Sequence, residues 1–541
     1  MKTAHLDGKR IRLCFPFAWT TVEFVRTLPG ARFHKENGQK FWTVQQVNQT
    51  LIQLRKFGFS IEGELAAERT AAKKRIEAVP EITIRGLKGE LFPFQKQGAS
   101  IIEALNGRVL LADEPGLGKT AQTLAWLHHH PELRPAIVVC PAAMKLQWVQ
   151  EGETWAPNDR FCILSSTASR ELSPEDGTIF IINYDVLQAW TPTLKLLRPP
   201  AIVLDECHFI MNRSAHRTRA ARELAKGVPH LIAISATPAD KRPIQLYTAI
   251  KLASPKIVGS RFDFGMRYCA GRHNGFGWVF NGASHTEELH ELLSTIMIRR
   301  KREEVLPDLP QKLRSYVPME LDNWDKYKQA ETDFISWVKE VKGSEAALRA
   351  RTHAALMKTE PLRQLAVKGK LLQATQWIQN FIENQKLVVF CTHTFPLDHL
   401  MRKFKDVAVR LDGKTSQAER EQAKDKFWND PDTALLVGNI RVAGVGMNLQ
   451  VASAAAFLEL GPRWSPGEHD QAEDRILRIG QKAQSVNIYY LLAAGTIEER
   501  IAKLIDKERG NMRRILDGES EIDQNSLISQ LMKNYMEESK Q

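Results

Sequence analysis

One eight-residue stretch constrains this chain more than any other: DEPGLGKT at residues 113–120. It follows a short apolar run, residues 109–112 (VLLA), and precedes residues 121–128, which read as a helix. A strand that turns through glycines into a helix N-terminus is a phosphate cradle. Backbone N–H groups converge there, and the helix dipole favours an anion. Gly116 and Gly118 let the backbone curl, Lys119 supplies a cation for β and γ phosphates, and the Thr120 hydroxyl suits Mg²⁺. The general pattern, GxxxxGK[ST], has glycine where this chain has Asp113. Strand before, helix after and GKT together select the nucleotide reading over a chance glycine turn.

From about Leu87 the chain alternates short β-branched runs with helical stretches. The runs are residues 108–112, 136–140, 178–182, 201–204 and 231–234, and a second series follows at 387–390, 407–411, 434–437, 454–459 and 486–491. Continuous apolar runs of this kind are strands buried on both faces, so each series predicts a parallel sheet covered by helices. Between them, residues 255–365 show fewer such runs and many charges, which predicts a mostly helical insertion. The first sixty residues read as a small α+β unit. ARFHKE and QKFWTV flank Asn37-Gly38, a strong hairpin signal. Val47, Leu51, Leu54 and Phe57 have helical spacing, with Gly58 as the stop. Residues 66–76 read as a charged helix and linker, ended by Pro80.

The 541 residues suffice for three or four compact units. No run of about 18 apolar residues occurs, which excludes a transmembrane helix, and the start MKTAHLDGKR carries no apolar secretory core. Six scattered cysteines without a CxxC pair argue against a disulfide framework or a zinc site and fit a reducing compartment. The net charge of +12 suits a polyanion partner, and residues 1–90 hold 16 Lys or Arg against 9 Asp or Glu. A basic hairpin with Phe33, Phe41 and Trp42 suits DNA phosphates and bases. One of the adjacent pair Phe41 and Trp42 must point into the module's own core.

Residues 203–208 (VLDECH) end another apolar run. Alone, an Asp-Glu pair is more often a solvated strand end. About ninety residues after a phosphate loop, in a sheet of the same style, it reads as a Walker B pair. Asp205 would then hold Mg²⁺ through water, and Glu206 would orient and deprotonate the attacking water.

These residues, with others in order, resemble the Swi/Snf-type ATPases of the second helicase superfamily, from about Leu91 to Arg500. Residues 91–95 (LFPFQ) look like the adenine-reading segment, with Gln95 as reader. Cys140-Pro141, Gln147-Trp148 and Glu151 look like motif Ia, residues 182–185 (INYD) like motif Ib, and residues 235–238 (SATP) like motif III. The least generic stretch, residues 298–310 (IRRKREEVLPDLP), is similar to the segment leading to this family's second lobe. Residues 410–413 and 444–449 resemble motifs IVa and V, the latter bringing Gly446 to the nucleotide. Trp464 and residues 471–481 (QAEDRILRIGQ) resemble motif VI, with Leu477 where the family usually has His. Arg475 and Arg478, spaced i, i+3, are expected on one helix face as arginine fingers for the γ-phosphate. Phe15-Pro16-Phe17, Pro29, the hairpin with Trp42 and the helix to Phe57 resemble the HARP domain of annealing-helicase-type members.

The resemblance implies an α/β fold of two RecA-like parallel-sheet lobes with helical insertions and a small N-terminal α+β module. The expected divisions are 1–80 (HARP-like module and linker), 81–255 (first lobe), 256–365 (helical protrusions), 366–510 (second lobe) and 511–541 (helical tail). It implies ATP and Mg²⁺ as cofactors, DNA-dependent ATP hydrolysis, and translocation on double-stranded or branched DNA by a monomer, with Trp464 and Trp42 as DNA contacts. Displacement of proteins such as RNA polymerase from DNA, and a DNA-binding scaffold with a silent motor, are the alternatives. The intact Lys119, Asp205, Glu206, Arg475 and Arg478 weigh against the scaffold. The expected location is cytoplasmic, at a prokaryotic or viral-host nucleoid, or nuclear in a eukaryote.

Overall fold

The computed structural model describes residues 2–36, 39–62, 79–165, 172, 178–239, 242–340, 345–444, 447–461 and 466–517. The Asn37-Gly38 turn, the charged helix at 66–76, Gly446, Trp464 and the end of the tail lie outside them. The described residues form two compact units: those up to Arg272 with Val279–Val305 and 511–517, and His273–Trp278 with Leu306–Gly510. No helix among the described residues is long and apolar enough to cross a membrane.

The first unit is built on a parallel sheet. Its strands lie in the order Met297–Ile298, Arg108–Leu111, His230–Ile234, Ala201–Leu204, Ala136–Cys140, Thr178–Asn183 and Arg160–Leu164. Alternate side chains of each strand go to opposite faces, and both faces are apolar. Leu110, Ile137, Val139, Ile202 and Leu231 enter one core, and Val109, Leu111, Val138, Val203 and Ile232 the other. This double burial is why the strands read as unbroken apolar runs.

The N-terminal module belongs to this unit. Its sheet has the order Arg32–Glu36, Gln39–Gln45, Arg10–Cys14, Thr3–Asp7 and Ser60–Ile61. The expected hairpin strands pair antiparallel, with Glu36 opposite Gln39. Helices Trp19–Arg26 and Asn48–Lys56 help cover one face over Ala4, Ile11, Leu13 and Val44, with Val25 and Leu51 among the covering side chains. The second helix also faces the large lobe. Ile52 joins that lobe's core, and the Asn48 and Gln49 amides donate to Lys256 O and Ile257 O, both at 3.0 Å.

The second unit holds a second parallel sheet in the order Gln311–Met319, Ser485–Ala493, Ala454–Phe457, Leu387–Cys391, Leu435–Asn439 and Ala408–Leu411. The region expected to be mostly helical therefore supplies a strand to each sheet: Met297–Ile298 to the first and Gln311–Met319 to the second. The first is too short to leave a pattern. The second is a half-exposed edge strand (QKLRSYVPM) whose Lys312 and Arg314 read as surface charge, and whose Pro318 an edge tolerates. The helix Glu345–Ile382 runs unbroken through the expected boundary at 365/366.

Candidate nucleotide site

Three neighbouring strands of the first sheet end at the same edge, and each ends in one of the motif loops. Arg108–Leu111 leads to Asp113 and the glycine loop, His230–Ile234 to Ser235, and Ala201–Leu204 to Asp205 and Glu206. Ligands of open α/β sheets bind at this carboxyl edge. Gly116 and Gly118 take φ of +86° and +70°, and Gly118 caps the helix Lys119–His129. The positive φ favours glycine at 118, and a Cβ there would lie 2.3 Å from Gln95 Nε2, so the end of the Gln95 side chain would also have to move. Lys119 and Thr120 open the helix, where its first N–H groups lack intrahelical partners.

Lys119 Nζ donates to Asp113 O at 2.7 Å and Glu114 O at 3.1 Å. Burial pushes the ammonium pKa down to about 8, while Glu206, Asp113 and Asp205 pull the other way. Lysine and acidic pair thus share one electrostatic environment, as the motif order requires. Asp205 is fixed from several sides. Trp148 Nε1 donates to its Oδ2 at 2.8 Å, the Glu206 amide to its Oδ1 at 2.9 Å, and Tyr184 Oη to its carbonyl at 2.7 Å. Burial, then Glu206, pushes the Asp205 carboxyl up to about 7. Glu206 has φ of +48°, a strained conformation for a non-glycine residue that costs about 1–3 kcal/mol and recurs at active sites. Ser235 Oγ donates to Glu206 Oε2 at 3.2 Å, and His208 Nδ1 lies 3.1 Å from both Ser235 Oγ and Glu206 Oε2. Motifs II and III are therefore joined by side chains.

Gln95 sits beside this loop. Its Oε1 accepts from the Phe92 amide at 3.0 Å and its Nε2 donates to Leu117 O at 3.3 Å. The expected adenine reader thus also ties its own helix start to the phosphate loop. Asp113, in the place of the usual glycine, is fully buried. It accepts from the Arg300 amide and Nε, both at 3.0 Å, from Arg300 Nη2, and from Gln122 Nε2 at 3.0 Å. The ladder beside the strand Met297–Ile298 continues past it. Ala112 N–H donates to Ile298 O at 2.8 Å and Glu114 N–H to Arg300 O at 3.1 Å. Residues 299–302 therefore run alongside the loop entrance. Arg302 completes the set, its amide donating to Glu114 Oε2 at 2.9 Å. Sequence reasoning marked this segment as distinctive but gave it no role at the site. Trp148 and Tyr184 were also missed as partners of Asp205. Their place in motifs Ia and Ib was the signal.

In the second unit the two expected finger arginines do not share a helix face. The helix Pro466–Glu473 ends before them. The Arg475 amide bonds Ala472 O at 3.1 Å and the Ile476 amide bonds Glu473 O at 3.3 Å, a tighter i→i−3 turn. Glu473 and Asp474 at the helix end are held by Lys312 Nζ, each at 2.9 Å, and Glu473 also by Arg314. Arg475 is buried, with Nε donating to Gly444 O at 2.9 Å, whereas Arg478 is half-buried. Leu477 lies in the second lobe's core, which accounts for an apolar residue there.

Trp42 is half-buried against the module's core. Its ring lies 5.4 Å from that of the exposed Phe33. Phe41 is on the other face, beneath the Arg12 guanidinium at 3.8 Å and stacked with His34 at 5.0 Å.

The SNF2-related domain matches residues 42–368, well over half the chain, and the helicase conserved C-terminal domain matches residues 370–480. The chain belongs to the SNF2-related family of helicase-like ATPases. Among its relatives, the human DNA annealing helicase and endonuclease ZRANB3 is 32% identical over 80% of this chain and 41% of its own length. The Xenopus tropicalis SWI/SNF-related matrix-associated actin-dependent regulator of chromatin subfamily A-like protein 1 is 32% identical over 80% of this chain and 46% of its own. The chain thus spans less than half the length of these two relatives. A Caenorhabditis elegans homolog of the latter is 29% identical, over 93% of this chain and 74% of its own. The Sulfolobus solfataricus SWI2/SNF2 ATPase core in complex with dsDNA aligns with 81% of this chain and 95% of its own, at 26% identity and a TM-score of 0.41.

Proposed function

We propose that this SNF2-related chain hydrolyses ATP in a DNA-dependent manner and uses the energy to travel along double-stranded DNA, remodelling or reannealing branched structures. The observation that carries the ATP reading is the convergence of Lys119, the Asp205–Glu206 pair and the Ser235 turn at one sheet edge. The DNA reading draws on the family, on the annealing-helicase relatives, and on the basic charge of the chain.

In this reading the glycine loop and the N-terminus of the helix Lys119–His129 hold the phosphates, and Lys119 leaves Asp113 O and Glu114 O to meet them. Glu206 takes the proton of the attacking water, with Ser235 and His208 keeping its carboxylate in place. Asp205 and Thr120 offer hard oxygen ligands that fit Mg²⁺, Asp205 through water, and a buried carboxyl pushed up to about 7 is one that a nearby divalent cation would keep ionised. The metal would neutralise charge on the β and γ phosphates. Arg475 and Arg478 are proposed to supply cations to the γ-phosphate, with Arg475 also holding the backbone at Gly444.

The N-terminal sheet has one face away from its helices. It carries Arg10, Arg12, Arg32, His34 and Phe41. Arg10 has its pKa lowered by burial and by the nearby Arg32, so an anion there would relieve like-charge crowding. This face, rather than Trp42, is the proposed DNA surface of the module.

The deciding experiment is ATP turnover by wild type and Lys119→Ala, each with duplex, forked and single-stranded DNA and with RNA. The expected result is DNA-stimulated turnover that Lys119→Ala abolishes while DNA binding persists. Wild-type turnover by Lys119→Ala removes the ATP-site reading, and stimulation by RNA alone removes the DNA reading.

A further inference from the structure

Two backbone points must stay in register for the proposed ATP site to work: the entrance to the phosphate loop at Ala112, and the turn after Ser235 that steadies Glu206. One side chain grips both. Arg299 Nη1 donates to Ala112 O at 2.8 Å and to Ala236 O at 3.0 Å. The same guanidinium is aimed from its other edge, where Nε donates to Asp517 Oδ1 at 2.7 Å. Both side chains are largely withdrawn from water, at 14% exposure for Arg299 and 5% for Asp517.

Asp517 is remote in sequence. It ends the C-terminal helix Ile497–Asp517. The last turns of that helix are built into the first unit, with Met512, Ile515 and Leu516 in the core beneath the sheet. His290 Nδ1 lies 3.2 Å from Ile515 O, a further tie at the same end. A planar guanidinium with five donors in a rigid fork holds its direction when opposite edges are both engaged. With Asp517 in place, Arg299 is bonded on both edges, and its fork spans the loop entrance and the Ser235 turn.

We propose that Arg299 is a positioning residue for ATP hydrolysis and that Asp517 aims it, so that the end of the C-terminal helix is a working part of the nucleotide site. The proposal rests on the ATP-site reading above. It also specifies which kinetic constant depends on the Asp517 carboxylate. The curl of the phosphate loop is held separately, by Arg300 on Asp113 and by Arg302 on Glu114. Nucleotide binding should therefore survive removal of that carboxylate. Glu206 is tied to the turn itself. Ser235, next to Ala236, donates to it, so a shift at Ala236 moves the general base relative to the phosphates. Small misplacements of this kind can cost up to about 10²-fold in rate.

The test uses the full chain with duplex DNA. Turnover is measured per bound nucleotide, the bound fraction coming from titration with a fluorescent ATP analogue, for Asp517→Ala, Asp517→Asn, Asp517→Glu and Arg299→Lys. The expected result is a fall of about tenfold in kcat for Asp517→Ala and Arg299→Lys, with KM and analogue affinity within about threefold of wild type, a smaller fall for Asp517→Asn, and recovery by Asp517→Glu. Normalising to bound nucleotide removes any unfolded fraction, and Asp517→Asn keeps the shape should Asp517→Ala fold poorly. The proposal is overturned if turnover per bound nucleotide stays within twofold of wild type in Asp517→Asn, Asp517→Ala and Arg299→Lys, or if kcat and affinity fall together. Lys119→Ala runs beside them. If it turns over ATP, the site reading has failed, and not this inference.

Discussion

Replacing Arg300 by Gln should destabilise the first unit by about 3–5 kcal/mol, the usual cost of leaving one partner of a buried ion pair behind. The structure gives the reason. The Asp113 carboxylate is fully buried and keeps two donors, the backbone amide of residue 300 and Gln122 Nε2, each at 3.0 Å. It loses Nε and Nη2, and with them its only ion pair among the described residues. Phe94 O and Gln122 Oε1 lose a donor as well. At roughly 2–4 °C per kcal/mol for a domain of this size, the melting temperature should drop by about 6–20 °C. Calorimetry, or urea unfolding followed by tryptophan fluorescence, reads this directly. Adding Asp113→Asn removes the stranded charge, so the double variant should recover much of the loss, with a coupling energy of about 2 kcal/mol or more in a double-mutant cycle. The loop entrance is fixed by this pair, so the KM for ATP should also rise. A cost below about 1 kcal/mol for Arg300→Gln, or additivity of the two substitutions, would refute the buried-pair argument.

Glu206→Gln should bind ATP with near wild-type affinity and lose hydrolysis by orders of magnitude, because an amide cannot take the water's proton; loss of nucleotide binding in a filter assay would make Glu206 structural. Arg478→Ala should lower DNA-stimulated turnover by about 10³-fold or more with nucleotide binding retained, and wild-type turnover would remove its finger role. His393 bonds Glu459 through Nδ1 and Glu360 through Nε2, and these carboxylates raise its pKa against the opposing effect of burial. A raised histidine pKa gives stability that is complete below the ordinary value of 6.5 and is lost as pH rises through the raised value. Stability of the second unit should therefore fall with pH above 6.5, and His393→Gln should flatten that dependence; an equal slope in both proteins would assign it elsewhere.

The central strands of both sheets were legible because double burial turns a strand into a short unbroken apolar run, and such runs alternate with helical stretches. The glycine loop and the acidic pair were legible because their chemistry needs fixed residue types at fixed spacing. What stayed hidden depends on partners distant in sequence. Gln311–Met319 reads as charged surface because Lys312 and Arg314 serve Glu473 and Asp474, more than 150 residues away. Asp113 looks like a defect in a motif until Arg300 is seen against it. The helical spacing of Arg475 and Arg478 misled because a spacing of three does not show whether the helix has already ended.

The N-terminal module gives the last prediction, in which two perturbations of one module should separate. The expected division at residue 80 treats the module and its linker as a unit separate from the first lobe. The structure argues otherwise for the helix Asn48–Lys56. Ile52 lies in the core of the large lobe beside Ile257 and Val258, and Gln49 Oε1 accepts from the Gly259 amide at 3.2 Å. Deleting residues 1–62 would bare that surface at about the cost of a large-to-small core substitution, 2–5 kcal/mol, and remove three hydrogen bonds besides. Melting temperature should fall by several degrees, and ATP turnover should drop on every DNA. Arg12→Glu with Arg32→Glu acts on the opposite face of the module's sheet, away from the core residues Leu13 and Val44. Melting temperature should then hold within about 2 °C, while DNA affinity falls and its dependence on salt becomes shallower, by about one unit of log–log slope for each phosphate no longer neutralised. A truncated chain that melts like wild type would show that the docked helix contributes nothing. Unchanged DNA affinity and salt slope in the double variant would leave the basic sheet face without a DNA role, and the surplus charge of the module would then be ordinary solvated surface.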